Sequence, residues 1–115
     1  MQTAITIRNN PDRQRFEMLV GDKVIGQAAY VDDGEGHRIF YHTAIDAEYG
    51  GQGLAGRLAA QALDETVAAG LKIVPVCPFI KKFLRKNTRY AASVQRRTPE
   101  LLAVLDAALA QRSRR

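Results

Sequence analysis

A single cysteine, no tryptophan and an aromatic share of 7% define this chain of 115 residues first by what it lacks. With Cys77 alone no internal disulfide can form, which fits a reducing cytosol, and we read no metal-ligating set in the sequence. No apolar run approaches the roughly 20 residues of a membrane span, and the N-terminus lacks the apolar core of a signal peptide. The motif Gly-Lys-Ser/Thr occurs nowhere, which removes a Walker phosphate loop. Between Pro78 and Pro99 there is no acidic residue at all. What is present is the composition of one globular domain over residues 1–115, with 46% hydrophobic and 25% charged residues. No repeat or low-complexity linker divides it, and only the tail 111–115 is expected to fray. A cytoplasmic protein is expected.

The net charge of +5 is unevenly spread. The acid-free interval holds seven basic residues: Lys81, Lys82, Arg85, Lys86, Arg89, Arg96 and Arg97. Such a block can attract nucleic acid, an anionic cofactor or an acidic protein, or it can be a solvated helix face.

The first half reads as an antiparallel meander. Strands are expected over Ala4–Asn9, Arg15–Val20, Lys23–Asp32 and Arg38–Ile45, from β-branched content and period-two alternation. Gly21-Asp22 supplies a two-residue hairpin turn, and Asp33-Gly34-Glu35-Gly36 closes the next hairpin. Within the fourth strand, His42 is expected to alternate with Phe40 and Ala44 on one face. Leu54, Ala55, Leu58, Ala59, Ala62, Leu63, Thr66 and Val67 then recur at helical spacing, and Gly70 stands where a left-handed cap is usual. Lys72–Val76 reads as a short strand that a βαβ crossover should pair in parallel. Pro78 opens a further helix whose apolar face is Phe79, Ile80, Phe83 and Leu84. Thr98-Pro99 caps a last helix carrying Leu101, Leu102, Leu105, Ala108 and Leu109.

The densest signal lies between strand and helix, in Tyr49-Gly50-Gly51-Gln52-Gly53-Leu54-Ala55-Gly56. Glycine turns through φ > 0 and lets a backbone approach a ligand closely. A helix opening from such a turn presents unpaired N–H groups and a positive dipole end, a ready site for phosphate. The plainer reading is a tight loop that needs glycine only for its shape. Gly51 to Gly56 satisfies Gly-x-Gly-x-x-Gly, yet Leu71-Lys72-Ile73-Val74, about 20 residues on, offers no acid for a ribose. Dinucleotide binding is therefore not expected.

Three features recur together: His42-Thr43 before the turn, Gly51-Gln52-Gly53-Leu54-Ala55 within it, and Cys77-Pro78-Phe79 downstream, with Asn87 and Tyr90-Ala91 beyond. From roughly Phe16 to Val94 the chain thereby resembles the GNAT acyltransferase superfamily, and within it the compact single-domain N-acetyltransferase branch. The resemblance implies an α/β (α+β) fold: N-terminal antiparallel meander, central phosphate-binding helix, parallel βαβ crossover and C-terminal helices. It implies acetyl-CoA as cofactor and an amine as acceptor. The superfamily's turn, Arg/Gln-x-x-Gly-x-Gly/Ala, matches Gly50 to Ala55, with Gly50 replacing the usual first side chain. Longer relatives carry helices between their first strands that help to form the acceptor pocket. Here only Pro11 to Gln14 lies between them.

On this resemblance the pyrophosphate of coenzyme A falls to Gly50, Gly51, Gln52, Gly53, Leu54, Ala55 and Gly56. The pantetheine amides fall to the strand edge at Thr43, Ala44 and Ile45, with Phe79, Lys82 and Asn87 as further contacts. Arg57, Lys82, Arg85 and Lys86 can meet a phosphate or remain solvated, and Asn87 can equally cap its helix. Cys77, at an expected helix N-cap beside Lys81 and Lys82, stands where thiolate is favoured over thiol if water reaches it, or else is a small buried hydrophobe. It is a candidate acyl acceptor or thioester wall. His42 is a candidate general base for an amine, against the commoner packed histidine. Tyr90 is a candidate donor to the departing thiolate. Three functions follow: an acetyl-CoA-dependent N-acetyltransferase, with direct transfer or transfer through Cys77; a non-catalytic CoA-binding or regulatory module; and, last, nucleic-acid binding through the basic block, since stacking needs exposed aromatics among the cations.

Overall fold

Alternating residues from Ile5 to Ile45 form four strands, β1 (Ile5–Asn10), β2 (Arg15–Val20), β3 (Lys23–Asp32) and β4 (His37–Ile45). A computed structural model describes residues 4–113. Consecutive strands pair antiparallel, and Gly21 at φ +60° makes the tight turn between the paired Val20 and Lys23. Helix α1 (Leu54–Ala68) then carries the chain across the sheet, so β5 (Lys72–Pro75) lies parallel to β4. The sheet order is β1-β2-β3-β4-β5. Helix α2 (Pro78–Lys86), a 3-10 turn (Thr88–Ser93) and helix α3 (Pro99–Ser113) complete the chain.

Two cores of unequal size hold the layers. On one face, Leu54, Leu58, Ala59, Ala62 and Leu63 of α1 bury against Phe16, Met18, Ala28, Tyr30, Phe40 and Ile73. On the other, Leu101 and Leu105 of α3 bury against Val31, Ile39 and Val74, with Tyr41 and Val76 packed at the margin. The Leu101 N–H donates to Thr98 Oγ1 at 3.1 Å, so Thr98 caps α3. Two rows beyond α3 on that second face are largely polar. Arg8, Glu17, Gln27 and Ala44 form one cross-strand row, and Asn10, Arg15, Ala29 and His42 form the next.

Some expected boundaries shift. β5 ends at Pro75, because the chain turns out of the ladder where Val76 and Cys77 both donate to the Phe40 carbonyl. Of the expected apolar face of α2 only Ile80 is buried, while Phe79, Phe83 and Leu84 line grooves. Val67 is exposed, whereas its neighbour Thr66 is fully buried, so the inward face of α1 passes through Thr66. α3 remains helical through Ser113, and the rest of the expected frayed tail, Arg114-Arg115, lies outside the described residues. Among the described residues no helix is long and apolar enough to cross a membrane.

Candidate active site

The sheet forks between β4 and β5. Their parallel pairing runs only from His37–Lys72 to Phe40–Pro75. There the N–H groups of Val76 and Cys77 converge on the Phe40 carbonyl at 3.0 and 2.9 Å, after which the chain leaves for α2. β4 continues to Ile45 with no strand on that side among the described residues. The Asp46 N–H reaches across to Ile25 O on β3 at 2.7 Å. Backbone groups alternate direction along a strand, so Ile45 and Thr43 turn their N–H and C=O into the fork, whereas Ala44 faces β3 opposite Gln27. Gly26 lies so close beneath Ile45 that a Cβ there would strike the Ile45 Cδ1. Of the expected edge, Thr43 and Ile45 offer their amides to the fork and Ala44 does not.

A bulge decides where the β4 side chains point. Tyr30 pairs with Phe40 but Ala29 with His42, so Tyr41 is an extra residue in β4. The expected shared face of Phe40, His42 and Ala44 is therefore broken. Phe40 stays under α1, while His42 and Ala44 emerge on the opposite face. His42 is exposed there and does not line the fork with Cys77. The same shift returns Thr43 to the inner face, where the Cys77 thiol donates to its Oγ1 at 3.5 Å.

The glycine turn opens onto α2. Gly51 and Gly53 take φ +78° and +71°, and Gly53 is the N-cap of α1. No side chain caps this helix, and the first intrahelical bond from its backbone is Arg57 N–H to Gly53 O. The N–H groups of Leu54, Ala55 and Gly56 are therefore the orphan donors of an open helix end. The Leu54 side chain is buried in the core, so its backbone alone faces the turn. Gly50 is extended and its N–H donates to Ala47 O, which removes it from the donor set; Gln52 is exposed. Beside this end lies a groove of about 350 Å³ lined by Gly53, Ala55, Gly56, Phe79, Lys82, Phe83 and Lys86. Lys86 was a candidate phosphate contact, whereas Phe83 was expected only on the apolar face of α2. Their spacing with Phe79 and Lys82 (i, i+3, i+4, i+7) marks one helix face, a signal hidden by treating Phe83 as core.

Cys77 is the N-cap of α2 at the apex of the fork, and it is 4% exposed. Asn87 Nδ2 donates to Phe83 O at 2.8 Å, which is the capping role. Tyr90 is 3% exposed and its hydroxyl donates to Asp64 Oδ1 of α1 at 2.7 Å. Burial first, and then the Asp64 carboxylate, push its phenol up to about 12. Tyr90 thus ties the 3-10 turn to α1, its proton already committed to Asp64. The basic block is divided: Lys82 and Lys86 face the groove at α1, whereas Lys81, Arg85 and Arg96 line a separate one. Arg89 pairs with Asp64 at 2.9 Å. Among the described residues no group of three or more His, Cys, Asp and Glu side chains could hold a metal ion.

Similarity to known proteins follows this geometry. The NMR solution structure of a GCN5-like protein from Staphylococcus aureus superposes with a TM-score of 0.62 at 23% identity, covering 82% of this chain and 91% of that one. At that identity the likeness establishes the fold. Among curated proteins no sequence matches the chain. A family model for GCN5-related N-acetyl-transferase matches residues 15–94, from the start of β2 through the turn after α2. Meander, fork, glycine-capped helix and crossover all lie within or beside that span, and the chain belongs to the GCN5-related N-acetyl-transferase family.

Proposed function

We propose that the protein is an acetyl-CoA-dependent N-acetyltransferase acting on a primary amine in the cytoplasm. One observation carries this reading: Cys77-Pro78-Phe79 joins a strand fork, with Cys77 at its apex, to an uncapped, glycine-turned helix end, whose groove Phe79 lines. The N–H groups of Gly51 to Gly56, apart from those already bonded, suit a pyrophosphate, and Lys82 and Lys86 add charge beside them. Thr43 and Ile45 suit pantetheine amides by strand-like pairing, with Phe79 and Phe83 as an apolar wall. Acetyl-CoA supplies an activated acetyl group, which an amine converts to an amide with release of the CoA thiol. The Ile45 N–H is oriented to polarise a thioester carbonyl, a contribution typically worth a few kcal/mol. Cys77 walls the reacting centre. In this reading His42, exposed on the opposite face, takes the proton of an amine that approaches from that side, directly or through water.

The test is calorimetric titration with CoA and acetyl-CoA, followed by thiol release over a panel of amines. Both CoA species should bind, and Gly53→Val should weaken them at least tenfold, since a β-branched residue at φ +71° costs roughly 1–2 kcal/mol or more. A protein that binds neither at millimolar concentration is not this enzyme. Binding without thiol release identifies instead a CoA-binding module, the reading favoured by the short link between β1 and β2. Cys77→Ala should retain most of the transfer rate if the amine attacks directly, and lose it if acetyl passes through the thiol.

A further inference from the structure

The sheet face that α3 leaves bare carries a polar cavity of about 500 Å³, lined by Asp12, Arg13, Arg15, Gln27, Tyr41 and Arg112 with Ala29 at its floor. Its charges are not balanced. Arg15 is bound to the buried Glu17 at 2.7 Å, a carboxylate it shares with Arg8, and to Gln27 at 3.2 Å, so its guanidinium is already engaged. Arg112 donates to the Tyr41 hydroxyl at 2.6 Å and to Gln14 Oε1 at 2.8 Å, both neutral acceptors. Its guanidinium is thus held in place with no carboxylate partner among the described residues, and three of its five N–H donors remain unassigned. Asp12 and Arg13 complete the lining. Arg112 therefore presents a positive charge on a fixed, planar donor whose fork matches the geometry of a carboxylate.

Its position connects it to the fork. The floor residue Ala29 pairs with His42, and Gln27 pairs with Ala44. These two β4 residues flank Thr43, whose backbone turns into the fork on the other edge of the same strand. Neighbouring strands lie about 4.8 Å apart, so a carboxylate over β3 and an amine at the open edge of β4 are roughly 5–10 Å from each other. The Tyr41 bulge contributes at both places, since it brings Tyr41 to the cavity wall and His42 to the same face.

We infer that this cavity anchors the acceptor, and that the acceptor is a small primary amine bearing a carboxylate roughly 5–10 Å from its nitrogen. The inference rests on the transferase reading above. Arg112 holds the carboxylate, Tyr41 and Gln14 hold Arg112, and the amine extends toward His42 and the fork.

The probes are γ-aminobutyrate, δ-aminovalerate and ε-aminocaproate, each against its carboxamide, added to the full chain saturated with CoA. Binding is followed on the backbone amides of Gln27, Ala29 and Tyr41 by NMR, and turnover by thiol release from acetyl-CoA. At least one carboxylate should bind about tenfold more tightly than its carboxamide and shift those amides. Arg112→Gln should bring that ratio to within about twofold while leaving the CoA affinity as it was, because Arg112 lies on α3 and not at the turn. If CoA binds but carboxylate and carboxamide are equivalent, or neither shifts the cavity amides, the anchoring site is wrong and the transferase reading survives. If CoA itself does not bind, both fall. The comparison on the unaltered protein decides the matter even if Arg112→Gln misfolds.

Discussion

Cys77 shows how one residue's neighbours outweigh its sequence context. A helix N-cap beside Lys81 and Lys82 favours a reactive thiol, provided that water reaches it. At 4% exposure, with its S–H directed to Thr43 Oγ1, water scarcely does. The native protein should therefore alkylate with iodoacetamide at least tenfold more slowly than a free thiol at the same pH, and denaturant should release the full rate. Saturating CoA should slow labelling further, because the pantetheine end would fill the fork in front of the sulfur. Labelling as fast as the free thiol would contradict the burial. Slow labelling that CoA leaves unchanged would place Cys77 outside the cofactor's path, without touching the glycine turn.

At the scale of elements, α1 carries its own test. Gly56, in the first turn, has a helical backbone, and a Cβ there would come no closer than 3.9 Å to Phe83 Cε1. Packing does not demand glycine at this position, but a side chain there would enter the groove that Gly56 lines. Gly56→Ala should raise unfolding stability by roughly 0.5–1 kcal/mol, from helix propensity, while weakening CoA binding several-fold by narrowing that groove. Urea melts and calorimetry on the same sample report both effects, and a stabilised variant with unchanged CoA affinity would remove Gly56 from the site. The meander, helix α1 and helix α3 were legible because each has its own period and its own turn or cap residue, as with Gly21, Gly53 and Thr98. The face of His42 was not legible. Alternation propagates through Phe40, His42 and Ala44 until an inserted residue breaks it, and the Tyr41 bulge exists only in the pairing of β4 with β3. The Arg112 contacts were hidden for a related reason, since Arg112 meets Tyr41 and Gln14 across most of the chain. Local pattern specifies elements, and long-range register decides which side chains share a cavity.

The stability of the whole molecule should fall at both ends of the pH range, for opposite reasons. Burial of Glu17, the largest influence, raises its carboxyl, but hydrogen bonds from Arg15, Arg8 and Asn10 together outweigh it and hold it below the ordinary 4.5. Asp33 is likewise raised by burial and then lowered further by the N–H groups of Glu35 and His37 and by the His37 ring. Both carboxyls are more acidic folded than unfolded. Their contribution is present above the unfolded values near 4 and is lost as pH falls through the lower folded values. Tyr90 works in the other direction, with a folded value of about 12 against 10.0. Its contribution is complete below pH 10 and is lost as pH rises toward 12, a change of roughly 1–3 kcal/mol. Other tyrosines and lysines also titrate there, so the informative comparison is with Tyr90→Phe. That variant gives up the bond to Asp64 and should be less stable at pH 7 by roughly 0.5–1.5 kcal/mol, since the half-exposed Asp64 can turn to water. It also has no phenol to ionise. The urea midpoints of the two proteins should therefore converge as pH climbs from 9 to 12, the wild type losing the advantage it held at neutrality. Midpoints that stay parallel over that range would show that the Tyr90 hydroxyl is not held between the 3-10 turn and α1.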